Sequence, residues 1–450
     1  MLQTIINAFK VKEIRRKVYM MLLLLLVFRI GCYIPVPGLD RETFSALFTN
    51  TDGSKVNSYL ALMSGLTGGA LQNGTLFALG IGPYINASII MQLLSVGIPA
   101  LERLSKQGEE GRKKIAQYTR YVTILLAIIQ SVGIIVNFAS TEGAIQTWIF
   151  DAWVAGVFMT VAYTAGALIV MWIGERITDY GVGNGQSMII FVGILSTAGM
   201  TIRSKIQAIF DPSFLAQTYP YSTATEIVWE LVFFILVSAL IFFAIVYVDL
   251  SERKVPVQYA KQIKGRKMYG GQSSSIPIRI SGGGVMPLIF AFSILSFPQM
   301  LSSMFWPGSG FDNFWSEYMS AQATGWGRVI YSTILCVLIF GFSFFYAQMQ
   351  FNPEDVSKSI QQNGGFIQGI RPGKATEAYL KKISNRITLF GAIYLSLVAF
   401  IPSVAFAGVD YTLVNVFSTT GILIIVSCAM EFEKQLQAQL MMKNYKGFLK

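Results

Sequence analysis

About ten stretches of this chain are each roughly 20 residues long and almost free of charge, the length that crosses the hydrocarbon core of a bilayer. They are Val18–Ile34, Leu76–Leu94, Tyr121–Ala139, Trp153–Gly174, Asn184–Ile202, Ile227–Val248, Val285–Phe305, Val329–Gln348, Ile387–Ala407 and Thr412–Met430. Only 13% of the residues are charged, against about 25% in soluble domains. The deficit runs along the whole chain and leaves no soluble domain of useful size. The expected fold class is an all-α polytopic membrane protein.

The charges carry the topology. Cytoplasmic connections are enriched in Lys and Arg. With the N-terminus inside, about 29 of the 35 basic residues fall inside and about five outside, with Arg29 within a span. An even number of spans puts both basic termini on that side. The net charge of +11 is thus mainly topological; no DNA binding is expected, and nucleic acid enters only as ribosomal RNA touched by the inner loops. Two inner loops, 249–284 and 351–385, are large, polar and basic, and read as a docking platform for a soluble partner. Residues 1–17 read as a short interfacial helix, with Leu2, Ile5, Ile6 and Phe9 against Lys10 and Lys12. Val18–Ile34 follows a basic flank like a signal peptide, but Pro35-Val36-Pro37-Gly38 is no cleavage site, so it reads as a retained span.

Several chemistries are excluded. The chain has no histidine, which removes the usual general base and metal ligand. Cys32, Cys336 and Cys428 all lie in apolar runs, without zinc or disulfide spacing. The spans hold almost no ionisable residues, with Arg29 near one end of the first, and a proton- or sodium-coupled carrier would normally need a carboxylate near the midplane. GVGNGQS (181–187) follows no strand and precedes no lysine; GIRPGKAT (369–376) is one residue short of a phosphate loop. No cofactor, metal or catalytic group is expected. Glycine and proline gather inside spans, at Gly80, Gly82 and Pro83, Gly183 and Gly185, and Gly282–Gly284 with Pro287. Small residues permit close helix contact, and proline frees a carbonyl. The stretch before the second span, Leu60–Thr75, is glycine-rich and too short to cross.

Five motifs stand in order along the chain: YIPVPG (33–38), FALGIGPYINASIIMQLL (77–94), KQGEEGRKKIAQYTRY (106–121), GVGNGQSMIIF (181–191) and GGFIQGIRPGKAT (364–376). Together they resemble the SecY family, over essentially the whole chain. The resemblance implies a clam-shaped bundle of ten transmembrane helices in two pseudo-symmetric five-helix halves, 18–205 and 206–431, with a cytosolic segment 1–17 and a tail 432–450. It implies a protein-conducting channel that passes unfolded polypeptides and releases transmembrane segments sideways. Residues 57–71, with Leu60, Met63, Gly65, Gly68 and Gly69, would be a plug that fills the outer vestibule. Glycine there would let it lift out at little steric cost. Ile81, Ile85, Gln186, Ile190, Met286 and Ile424 would form the pore ring; Gln186 departs from the aliphatic residue usual in the family. An apolar ring seals against ions by dewetting. Gln92 would lie at a lateral gate between the second and seventh helices. Arg266, Lys267 and Arg371 would receive the motor or the ribosome. Implied partners are SecE and SecG as a heterotrimer, the SecA motor, the ribosome, signal peptides and nascent chains, and membrane lipids. The implied location is the bacterial cytoplasmic membrane, with both termini cytosolic. The alternative is a secondary transporter with inverted repeats, suggested by the five-plus-five arrangement.

Overall fold

Inside hydrocarbon a backbone N–H or C=O finds no water, so each must bond within its own segment or a neighbouring one. The computed structural model describes residues 2–39, 64–65, 67–105, 107–139, 151–213, 223–259, 262–264, 267–269, 273–280, 284, 286–306, 308–320, 323, 325–405 and 419–447. Its helices are α1 (Leu2–Lys10), α2 (Lys12–Gly31), α3 (Gly82–Gly97), α4 (Pro99–Ser105), α5 (Glu109–Ala139), α6 (Ala152–Tyr180), α7 (Gly185–Phe210) and α8 (Ala224–Asp249), then, after four strands, α9 (Met286–Phe305), α10 (Gly310–Tyr318), α11 (Trp326–Gln350), α12 (Pro353–Gln362), α13 (Lys374–Ala405) and α14 (Thr419–Gly447). Seven of them, α5 to α9, α11 and α13, are long and apolar enough to cross a membrane. The pair α3 and α4, bent by 104°, makes an eighth if it is one span. The first and tenth apolar runs overlap α2 and α14, so every run of the sequence meets a helix.

Local chemistry explains several helix starts. α3 begins at Gly82-Pro83, where a missing N–H costs nothing; residues 76–81 of the second apolar run are turns instead. α7 starts where the Asn184 side chain accepts the Gln186 N–H at 3.1 Å. The motif GVGNGQS is therefore a helix cap. A Cβ on Gly185 would lie 1.9 Å from the Gly174 carbonyl oxygen, so α6 and α7 touch backbone to backbone only because that residue is glycine. α8 opens with a capping box, Thr223 and Glu226 bonding each other's backbone N–H.

The platform loops are more ordered than connectors. Strands β1 (Glu252–Tyr259) and β4 (Ser273–Arg279) pair antiparallel, and β2 (Gln262–Lys264) and β3 (Lys267–Tyr269) form a separate hairpin. β5 (Gly365–Phe366), from the other large loop, joins the far edge of β1, with Gln258 opposite Phe366. Val255 and Val257 alternate inward on β1. With Ile278, Ile360, Ile367 and Leu380 they form a small core of their own. The two loops are thus one folded unit. The second is also shorter than its sequence bounds, because α13 begins at Lys374.

Other sequence expectations need correction. Residues 1–17 divide between α1 and α2. Ala8, Ile14 and Val18 pack against Val182 and Leu436, so this end is held by α14 and not by the lipid interface alone. α7 runs to Phe210. The spans also hold more charge than Arg29. Lys205 on α7 is fully buried and forms an ion pair with Glu230 on α8. Glu230 lies within the sixth apolar run, where a lone carboxylate would be costly and a paired one is tolerated. Arg120 on α5 grips Glu175 on α6 through two bonds of 2.9 Å. Lys434 on α14 pairs with Asp249 at the end of α8.

Candidate functional site

The apolar positions singled out in the sequence converge on one cavity. Ile81 caps α3, and Ile85 lies one turn later, its N–H bonded to the Ile81 carbonyl at 3.1 Å. That spacing puts both side chains on one face. Ile190 comes from the second turn of α7 and Ile424 from α14. These four isoleucines, with Ile289, Phe292 and Met300 of α9, wall the cavity, and Thr67, Asn86, Ser293 and Ser296 add its polar atoms. About 50 Å³ is open to the centres of water molecules, more than one water needs. The four isoleucines offer no hydrogen bond to anything inside. Ile81, Ile190 and Ile424 belong to the main core of the molecule.

Among the described residues the walls do not include Gln186 or Met286. Gln186 is half-buried and bonds the Tyr84 hydroxyl. Met286, the first residue of α9, is half-buried and packs on the main core beside the cavity. The cavity's polar wall on α9, Ser293 and Ser296, carried no signal in the sequence beyond a serine every third residue.

Thr67 reaches this cavity from the segment before α3. Leu60 and Met63 lie outside the described residues. The described part runs from Ser64 through a series of tight turns to Ile81. It is pinned to the end of α2 by a two-strand bridge, Val36 N–H to Gly74 O at 3.1 Å and Leu76 N–H to Ile34 O at 2.8 Å. The Thr197 hydroxyl of α7 donates to the Gly65 carbonyl at 3.0 Å.

Gln92 has a partner that the sequence did not reveal. The Tyr346 hydroxyl of α11 donates to its side-chain oxygen at 2.5 Å. The Tyr346 ring meets Phe290 of α9 edge-on, with centroids 5.0 Å apart. One tyrosine therefore touches α3 and α9 at once, through Gln92 and Phe290.

On the platform, Arg371 is exposed in the turn before α13, and its carbonyl accepts the Thr376 hydroxyl at 2.9 Å. Ser357 of α12 bonds the Gly373 carbonyl at 2.9 Å, which fixes the same turn. Arg253, Lys254, Lys358, Lys374 and Lys381 are exposed on the same unit. Lys267 lies on β3 opposite Lys264; Arg266 lies outside the described residues.

A family model described as SecY matches residues 75–433. The protein translocase subunit SecY of Streptomyces galbus is 38% identical over 456 residues, covering 100% of both chains. Two solved structures share the fold. In one, the plug domain of the SecY protein is described as stabilising the closed state of the translocation channel and maintaining a membrane seal (TM-score 0.63, 20% identity, 94% of this chain and 92% of that one). The other is Sec61 in the canine ribosome–channel complex from the endoplasmic reticulum (TM-score 0.58, 19% identity, 94% and 92%).

Proposed function

This chain belongs to the SecY family, and from that membership we propose that it is the central subunit of a protein-conducting channel. It passes unfolded polypeptides across a membrane and releases transmembrane segments sideways into lipid. The observation that carries this reading is the cavity walled by five isoleucines, Ile81, Ile85, Ile190, Ile289 and Ile424, with Thr67 at its edge. Such an isoleucine wall binds no passing side chain strongly. Ile81, Ile85, Ile190 and Ile424 form the constriction, and Met286 and Gln186 adjoin it. The full-length match to a translocase subunit does not favour a carrier with inverted repeats.

Ile85→Cys tests the constriction. With the native cysteines replaced by serine, it should form a disulfide with a cysteine in an arrested, half-translocated chain, and a cysteine at the lipid-facing Leu236 should not. Capture at Leu236 but not at position 85 would remove the pore from this place.

The lateral exit lies between α3 on one side and α9 with α11 on the other. Its polar fastening is the bond between Gln92 and Tyr346. Tyr346→Phe removes the donor and leaves the ring, at a cost of about 1 kcal/mol to the closed gate. About fivefold more crosslinking of a signal peptide to a lipid-borne photoprobe is expected. Crosslinking equal to that of the intact protein would rule the bond out as a fastening.

Residues 57–71 act as the plug, and Arg266, Lys267 and Arg371 dock the SecA motor and the ribosome through carboxylate or RNA phosphate. SecE and SecG complete a heterotrimer in the bacterial cytoplasmic membrane, with both termini cytosolic and no catalysis by this chain. Support comes from the folded, exposed, basic unit built of both inner loops.

A further inference from the structure

Arg29 is an arginine in the last turn of α2, and neither the pore nor the docking platform uses it. Its guanidinium turns inward to the segment before α3. Nη1 lies 3.4 Å from the Gly68 carbonyl oxygen, Nη2 lies 3.4 Å from the Tyr33 hydroxyl, and the group sits 5.5 Å from the centre of the Tyr33 ring. Gly68 is shaped for this neighbour. Its φ is +70°, and a Cβ there would lie 2.4 Å from Arg29 Nη1 and 3.2 Å from the Gly193 carbonyl oxygen. Only a residue without a side chain lets the guanidinium and α7 approach its backbone together.

The neighbouring carbonyls are held in the same way. Thr197 of α7 donates to Gly65 O at 3.0 Å, and the Cys32 thiol of α2 lies 3.9 Å from Thr67 O. Three side chains, two at the end of α2 and one on α7, thus grasp the backbone of a segment whose residue Thr67 edges the cavity. A grip on carbonyls needs no particular side chain on the held segment. Each such bond is worth little net, more where the donor is charged, so together they hold a piece that must also leave.

Resting on the plug assignment above, we propose that Arg29 is a positioning residue that latches the seated plug through the Gly68 carbonyl. Tyr33 aims the guanidinium, and glycine at 68 makes room for it. Withdrawal of the plug breaks this bond and leaves Arg29 on Tyr33 at the outer end of α2.

The test uses the whole chain in its native complex, with Cys336 and Cys428 replaced by serine. Thr67→Cys then reports seating through its disulfide yield with native Cys32, and resting ion conductance is read in parallel. Arg29→Met should lower the disulfide yield about fivefold, the change that about 1 kcal/mol gives. It should also raise conductance toward that of a chain lacking 57–71. Arg29→Lys, which keeps a charged donor, should recover part of both. Gly68→Ala is the second variant should Arg29→Met fail to insert. It should unseat the segment alone, and combined with Arg29→Met it should cost less than the sum. Unchanged yield and conductance for both single variants, when the 57–71 deletion does leak, would overturn the latch and leave the plug standing. A deletion that does not leak would overturn the plug itself, and the disulfide yields would then report only whether Arg29 holds residue 68.

Discussion

Deleting residues 57–71 should raise the resting ion conductance of the reconstituted complex at least about tenfold, the effect of some 1.4 kcal/mol on the barrier. The deletion removes Thr67 from the cavity edge and the grip of Thr197 on Gly65. It leaves the apolar walls from α3, α7, α9 and α14 as the barrier. An apolar neck excludes ions only while it is narrow enough to stay dry. With the segment gone, water can stand against the isoleucines from the outer side. Fifteen residues are too few to cross a bilayer as a helix, so insertion of the neighbouring helices should be unaffected. Single-channel recording in planar bilayers measures the outcome. Conductance equal to that of the intact protein would withdraw the plug role from this segment.

Arg371→Glu should lower motor-driven export at least about tenfold while the protein accumulates and inserts normally. The Arg371 side chain is exposed, and the turn that carries it is fixed by its carbonyl and by Gly373, not by the guanidinium. Reversal therefore spares the fold. At the docking face it removes a forked donor and sets a carboxylate against the acidic groups that such a donor recognises, and like-charge contacts cost several kcal/mol. Arg371→Lys keeps the charge without the fork and should fall between. ATP-dependent import into inverted vesicles gives the rates. Full export by Arg371→Glu would exclude this residue from docking.

The resemblance to one family was legible in five motifs, and so were the isoleucines that later met at one cavity. Other features were hidden, each for a physical reason. Glu230 sits in a run so apolar that its charge is easy to pass over, and its partner Lys205 lies beyond the sequence bound of the preceding span. Hydropathy averages over a window and cannot register one pair that neutralises itself across two helices. Gln92 stood out as a polar residue on a span, but its partner, Tyr346, is 254 positions away. The two inner loops looked separate because β5 is two residues long, too short to leave any periodicity. Gln186 stands in the expected ring by its motif, and its bond to Tyr84 leaves no trace in the sequence.

By itself the sequence determined the solvent of this protein and where along the chain its apolar runs lie. Those follow from transfer of each segment between water and hydrocarbon, a sum over neighbouring residues. Tertiary structure alone decided which isoleucines share a cavity, which tyrosine fastens Gln92 and which carbonyl Arg29 holds. Such contacts join residues far apart in the chain, and their energies depend on distances of a few ångströms that no local pattern encodes.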